Sequence, residues 1–221
     1  MIQYLFLVLF FLFSSLHLIS SWKDDAENRK KTKPFLLILL LLYYLSAAHH
    51  KDIFLILALL TSWLGDVLLI PKGHHWFVAG GISFLLSHVF FALVYVKRIT
   101  LSSVSLVLIL LAAAVYFTVS FLIMRAVKDN TPKKMVLPMG LYLIVNSIMN
   151  LFALMQLMSV DHSGTLIAYI GAVSFFISDC TLFLVRYHHK TGIVCKKHFT
   201  VMLTYLLSEF LIVSGILMLK G

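Results

Sequence analysis

Three carboxyl groups stand in runs of residues that otherwise belong in hydrocarbon. They are Asp66 in "SWLGDVLLI" (62–70), Asp179 in "SFFISDCTLFLV" (174–185) and Glu209 in "YLLSEFLIV" (205–213). An aspartate at the centre of a membrane helix costs about 2.5–3.5 kcal/mol, and such residues are functional candidates by default. Left unpaired, the three would cost on the order of 8–10 kcal/mol, comparable to the whole stability of a domain. A polar cavity or mutual partners must offset that cost. Two carboxyls in one poorly hydrated site can divide the roles of general acid and general base and titrate as a unit. Asp66 and Asp179 are therefore the expected catalytic pair.

Helical spacing gathers further polar groups around them. Ser62 precedes Asp66 by four residues, Tyr142, Asn146 and Asn150 follow one another at intervals of four, and Tyr205 precedes Glu209 by four. Residues four apart share a helix face. Gly80, Gly81 and Phe84 lie on the turns before His88, with small residues where backbones can approach closely. Ser62, His88, Tyr142, Asn146, Tyr205 and Glu209 are expected to bind or orient a substrate or water. The bland alternative, interhelical hydrogen bonding without chemistry, fits Asn146 and Asn150 better than the aspartates, because a hydroxyl or amide would hold helices together more cheaply.

The elements that must position these groups are membrane helices. The chain has 221 residues, 61% hydrophobic and 12% charged, whereas a soluble domain carries about 25% charged residues. Eight apolar segments are expected at about 2–21, 34–48, 52–70, 77–97, 101–124, 136–158, 164–185 and 198–219. Most approach the ~20 residues of a spanning helix. The second, "PFLLILLLLYYLSAA", is short. The expected fold is all-α, a single integral membrane bundle of eight transmembrane helices over residues 1–221. The first segment lacks a basic leader and its apolar run exceeds the ~7–15 residues of a signal peptide, so it reads as helix one.

Charge sets the orientation. Fourteen of the eighteen Lys and Arg fall in loops after helices one, three, five and seven; Lys51, Lys97, Arg98 and Lys220 lie on the other side. The positive-inside rule puts the basic loops in the cytoplasm and both termini outside. The protein is then multi-pass, in the inner (cell) membrane if bacterial. Its net charge of +9 reflects topology and anionic lipid headgroups, not a nucleic-acid partner. At 1.5 Å per residue, Asp66 and Asp179 fall roughly 6–10 Å from the inner boundary, and His88 and Glu209 about 16 Å in.

Other chemistries fit poorly. The doublets His49-His50, His74-His75 and His188-His189 lie at helix ends or in loops, and a catalytic zinc wants three protein ligands around one open position. No metal or cofactor is expected, nor a disulfide between Cys180 and Cys195. The sequence holds no G-x-S-x-G. "WLGD" brushes against the G-x-G-D of intramembrane aspartyl proteases, but Trp63 replaces the first glycine. A weak internal echo links "LGDVLL" and "ISDCTL", each followed by a helix with one buried titratable group, His88 or Glu209.

At these residues the sequence resembles a known family. "KPFLLILLL" (33–41), "LGDVLLI…FVAGGISFLLSHVFF" (64–91), "LPMGLYLIV" (137–145), "GAVSFFISDCTLFL" (171–184) and "YLLSEFLIV" (205–213) are similar to the YhhN-type lysoplasmalogenases. The family's motif positions fall on Lys33, Asp66, His88, Tyr142, Asp179 and Tyr205. Glu209 departs from the pattern, standing where the family more often shows glutamine. The resemblance implies cleavage of the vinyl ether bond of a lysophospholipid, the lysoplasmalogen, to a fatty aldehyde and a glycerophospho-base such as the ethanolamine or choline form. That reaction needs a proton on carbon, stabilisation of an oxocarbenium ion and a base for water. Asp66 and Asp179 are expected to share these roles, with Glu209 as a second base. Lys33, at the expected start of helix two, could meet the phosphate, with Arg186, Lys196 and Lys197 as further cations. The partners expected are the lysophospholipid substrate and membrane lipids. The rival reading is a proton-coupled transporter or flippase of a small amphiphile, using the same carboxyls as a relay.

Overall fold

The computed structural model describes residues 1–190 and 192–219; Lys220 lies outside them. The described residues form eight α-helices in chain order: α1 (Ile2–Trp22), α2 (Ala26–Ala47), α3 (Ile53–Leu68), α4 (His74–Val96), α5 (Leu106–Val127), α6 (Lys133–Ser159), α7 (Ser163–Tyr187) and α8 (Lys197–Met218). No strand occurs among them. Six of these helices, all but α2 and α3, are long and apolar enough to cross a membrane, as in a multi-pass membrane protein.

The second helix is longer than its apolar run. The Asp25 carboxylate accepts from the Asn28 backbone N–H at 3.1 Å and from its side chain at 2.6 Å, so the helix starts eight residues before Pro34. Those bonds hold the Asp25 carboxyl below its usual range. Pro34 then lies inside the helix and denies a donor to the carbonyl four residues back, on exposed Lys30, where water can serve instead. Pro138 of α6 does the same for exposed Lys134. Lys33 consequently sits two turns into α2 and not at its start. The fifth helix begins later than the apolar run, at Leu106, because Ser105 caps it and Leu101–Ser103 forms a separate 3-10 turn. The Ser159 hydroxyl accepts from the Thr100 N–H at 3.0 Å and fixes that turn.

The short helices are central. Leu36, Leu37 and Leu40 of α2 and Leu55 and Leu59 of α3 are fully buried. Helices wrapped by protein need not match the ~30 Å hydrocarbon thickness that lipid-facing helices must. By contrast, only 17% of the apolar window of α1 and 11% of that of α5 is buried, so these two form the outer wall.

Glycines set the two tightest helix pairs. Between α7 and α8, a Cβ on Gly215 would lie 2.5 Å from the Gly164 carbonyl, and one on Gly171 would lie 2.9 Å from the Ser208 carbonyl. Between α3 and α4, a Cβ on Gly65 would lie 2.7 Å from the Phe84 ring. Small residues at such crossings permit backbone approach in lipid, where apolar side chains gain nothing by leaving the bilayer. Gly215→Val is expected to lower the thermal stability of the detergent-purified protein by about 1–3 kcal/mol, the usual cost of overpacking. Gly140→Ala, whose Cβ would meet nothing within 4 Å, is the matched control and should hold or raise the melting temperature.

Candidate active site

The close pairs α3/α4 and α7/α8 each carry one aspartate, and each aspartate meets a side chain of the opposite pair. Asp66 on α3 accepts a hydrogen bond from the Tyr205 hydroxyl of α8 at 2.9 Å. Asp179 on α7 has His88 of α4 3.1 Å from its Oδ2. This crossed arrangement gives the weak sequence echo a physical content, since both halves place an acid next to the other half's titratable helix.

Asp66 is 2% exposed and forms an ion pair with Lys33 Nζ at 3.2 Å. Lys33 lines the cavity too; the added turns of α2 carry it into the bundle, where its side chain is 16% exposed and pairs with a carboxylate. The ammonium supplies the partner that the Asp66 charge requires.

Asp179 has a different set of partners. The Tyr142 hydroxyl donates to Oδ2 at 2.9 Å and Asn146 Nδ2 donates to the same oxygen at 2.7 Å. Asn150 Nδ2 donates to Asn146 Oδ1 at 3.0 Å, which fixes the Asn146 amide with its nitrogen toward Asp179. The stripe of residues four apart on α6 is thus a positioning relay, and Asn150 belongs to it. These polar contacts all fall on Oδ2.

His88 Nδ1 lies 2.6 Å from the Phe84 carbonyl oxygen, which can only accept, so Nδ1 carries hydrogen. His88 Nε2 lies 3.1 Å from Asp179 Oδ2 without a hydrogen bond to it. The imidazole is held edge-on by Phe175 at 4.6 Å between ring centroids and by Tyr142 at 5.1 Å.

Each carboxylate is thus held by its own partners and not by the other. They are brought together by a shared cavity of about 390 Å³, lined by both and by Lys33, Phe84, Tyr205 and, at its mouth, Arg186 and Lys197. This volume lies within the range of small-molecule sites. The cavity opens at the end of the bundle where α3 and α7 finish and α4 and α8 begin.

The remaining candidates divide. Ser62 Oγ pairs with Ser87 Oγ at 2.6 Å, a buried α3–α4 staple away from the cavity lining. Lys196 leaves the cavity; its ammonium lies 4.9 Å from the centroid of Trp22. Arg186 stays at the mouth, with its guanidinium 3.6 Å over Phe77. Glu209 is fully buried beyond the cavity; neither carboxyl oxygen makes a well-formed hydrogen bond among the described residues, and the Ser62 hydroxyl interacts with it. The Tyr95 hydroxyl is likewise buried and unpaired, and it interacts electrostatically with Glu209. Cys180 and Cys195 are both free thiols.

Sequence reasoning missed Phe175 and the stacking role of Phe77. Phe175 stands four residues before Asp179, as Phe84 stands four before His88, so the same i, i+4 rule would have found both aromatic supports. Phe77 left no such signal, because its contact with Arg186 joins distant parts of the chain.

Compared with known proteins, the chain matches a family model described as the YhhN family over residues 29–216. Neither a curated protein nor a solved structure matches it.

Proposed function

The chain belongs to the YhhN family, and from that premise we propose that it is a membrane-embedded hydrolase that cleaves the vinyl ether bond of a lysophospholipid. The observation that carries the reading is the joint lining of one cavity by Asp66 and Asp179, with cations at its mouth. One carboxyl has an ammonium partner, and the other, set against an imidazole, is taken as the protonated one. Those are the two states that an acid–base reaction needs side by side.

The reaction is R–CH=CH–O–R′ + H₂O → R–CH₂–CHO + HO–R′. Asp179, acting in its protonated form, delivers its proton to the outer vinyl carbon. The carbon bearing oxygen becomes an oxocarbenium ion, which the Asp66 carboxylate faces across the cavity. Water adds to that carbon and gives its proton to a carboxylate. The hemiacetal hydroxyl then gives its proton to a carboxylate as the bond to R′–O breaks, and R′–O takes up a proton from the reprotonated carboxyl and leaves as the alcohol. Tyr205 holds Asp66 in place, and Tyr142 and Asn146 hold Asp179. Arg186 and Lys197 at the mouth suit a phosphate, the part of the substrate left in the headgroup region.

The reading includes a topology. All eight helices span, the cavity opens toward the cytoplasm, both termini lie outside, and the whole chain is one domain in the cell membrane. The buried α2 and α3 cross within the bundle, where their length is set by protein neighbours. No cofactor or metal enters the scheme.

The test is direct. The detergent-purified protein, given a lysoplasmenyl phospholipid, should release a fatty aldehyde and leave an alkyl-ether or acyl lysophospholipid intact. Cleavage of neither the vinyl ether nor its analogues would overturn the reading.

A second reading is favoured by one observation. Glu209 and Tyr95 extend the buried polar groups beyond the cavity, as a proton relay in a transporter of a small amphiphile would. Substrate-driven proton uptake into proteoliposomes, with no product formed, would select it.

A further inference from the structure

We propose that the groove between α4 and the first half of α6 is the binding site for the single apolar chain of the substrate, reached sideways from the bilayer, and that Gly81 sets how much chain it holds. The inference rests on the lipid-hydrolase reading for the identity of the headgroup, but not for the groove itself.

The groove has a volume of about 250 Å³ and its lining is almost wholly apolar: Val78, Gly81, Leu85, Met135, Met139 and their neighbours. It adjoins the catalytic cavity, and Leu69, Phe77, Phe84 and Leu182 line both. Tyr142 links the two in another way, lining the groove while its hydroxyl donates to Asp179. A molecule lying across this junction has its apolar part in the groove, its polar part beside Arg186 and Lys197, and its middle beside the carboxyls.

That division selects the occupant. A purely apolar molecule would leave the cationic mouth unused, and a small polar one would leave the groove unused. The observations favour an amphiphile with one chain and an anionic head. Phe77 stands at the divide, pinned by the Arg186 guanidinium 3.6 Å over its ring. The same arginine therefore faces the head and fixes the wall against which the chain begins.

Gly81 is the position at which the groove can be filled without disturbing the bundle. It lines the groove, and a Cβ placed there would meet nothing within 4 Å. Neighbouring Gly80 is different, since its Cβ would lie 2.8 Å from Leu69. Only Gly80 is required for helix packing, so the open space at Gly81 is available to a ligand.

The experiment uses a saturated single-chain ether lysophospholipid, which the reaction cannot cleave, with a diazirine near the end of its chain. It is photolysed with the full-length protein in nanodiscs, and labelled peptides are mapped by mass spectrometry. Labelling should concentrate on 78–85 and 135–141, in preference to the outer wall of α5, and excess unlabelled single-chain lipid should suppress it. Gly81→Leu should reduce labelling by long-chain probes about ten-fold, since each buried methylene excluded is worth about four-fold in affinity. Gly81→Ala should give a smaller loss of the same kind and serves if the leucine variant does not fold.

Labelling spread evenly over lipid-facing helices would overturn the proposal. So would labelling insensitive to both substitutions, or displaced equally by two-chain phospholipid, which would make the groove an ordinary lipid crevice. The two readings fail separately. A specifically labelled groove in a protein that releases no aldehyde defeats the hydrolase and leaves the chain site standing. Aldehyde release with an unlabelled groove defeats the chain site alone.

Discussion

Asp179→Asn is expected to lower the rate of aldehyde release by about 10²–10⁴-fold, the usual contribution of a positioned general acid, while the protein stays folded. The expectation rests on which oxygen does what. Tyr142 and Asn146 both donate to Oδ2, and an asparagine presents a carbonyl oxygen that can accept both. The substitution therefore keeps the contacts that hold α6 to α7. What it removes is the transferable proton, because an amide cannot supply one to carbon. His88 retains its bond to the Phe84 carbonyl, so the imidazole also stays in place. Aldehyde release measured beside the thermal melting curve separates the two effects. A variant that melts like the parent and is inactive supports the role. A variant that melts like the parent and keeps full activity would remove Asp179 from the chemistry.

Most of this arrangement was legible in the sequence, and the reason is specific to lipid. A carboxyl in hydrocarbon must find partners or a cavity, so Asp66 and Asp179 announce themselves one at a time, without knowledge of the fold. Spacing by four then identifies faces: Tyr142 and Asn146 meet on Asp179, whereas Tyr205 lines the cavity and Glu209, one turn on, lies beyond it. The helix number and most boundaries followed from apolar length, for the same physical reason.

Pairing between distant residues was less legible. Ser62 lies on the correct face of α3 yet bonds Ser87, since a hydroxyl is satisfied by any near donor and spacing does not say which. Lys33 was placed by its apolar successor, Pro34, as if proline must open the helix. Asp25 caps the helix earlier, and the proline is tolerated where the carbonyl that it deprives lies on an exposed residue. Two turns of extra helix then carry the lysine into the bundle, where it pairs with Asp66. Glu209 shows the opposite limit. Its burial was expected, but the lack of any well-formed hydrogen bond to it depends on how neighbours on other helices are oriented.

Lys33→Met should be among the most destabilising single changes in the protein, and pairing it with Asp66→Asn should restore the fold without the activity. Lys33 Nζ lies 3.2 Å from Asp66 Oδ1, and Asp66 is 2% exposed. Removing one partner of a buried ion pair leaves an uncompensated charge and costs about 3–5 kcal/mol, whereas replacing both by neutral groups of similar size is often neutral or stabilising. Asp66→Asn alone is the milder change for stability. Lys33 keeps 16% of its side chain exposed, so its ammonium can shift toward the cavity mouth, and the Tyr205 hydroxyl can still donate to the asparagine oxygen. Thermal melting of the two single variants and the double variant forms a cycle that isolates the pair. The expected order of stability is parent and double variant together, then Asp66→Asn, then Lys33→Met. Aldehyde release should be lost in the double variant despite its recovered fold, because the carboxylate proposed to face the oxocarbenium ion is gone. A double variant that is both stable and active would make the ion pair structural and leave Asp66 without a part in the reaction. A double variant no more stable than Lys33→Met would show that the lysine holds α2 by packing of its stem and not by charge.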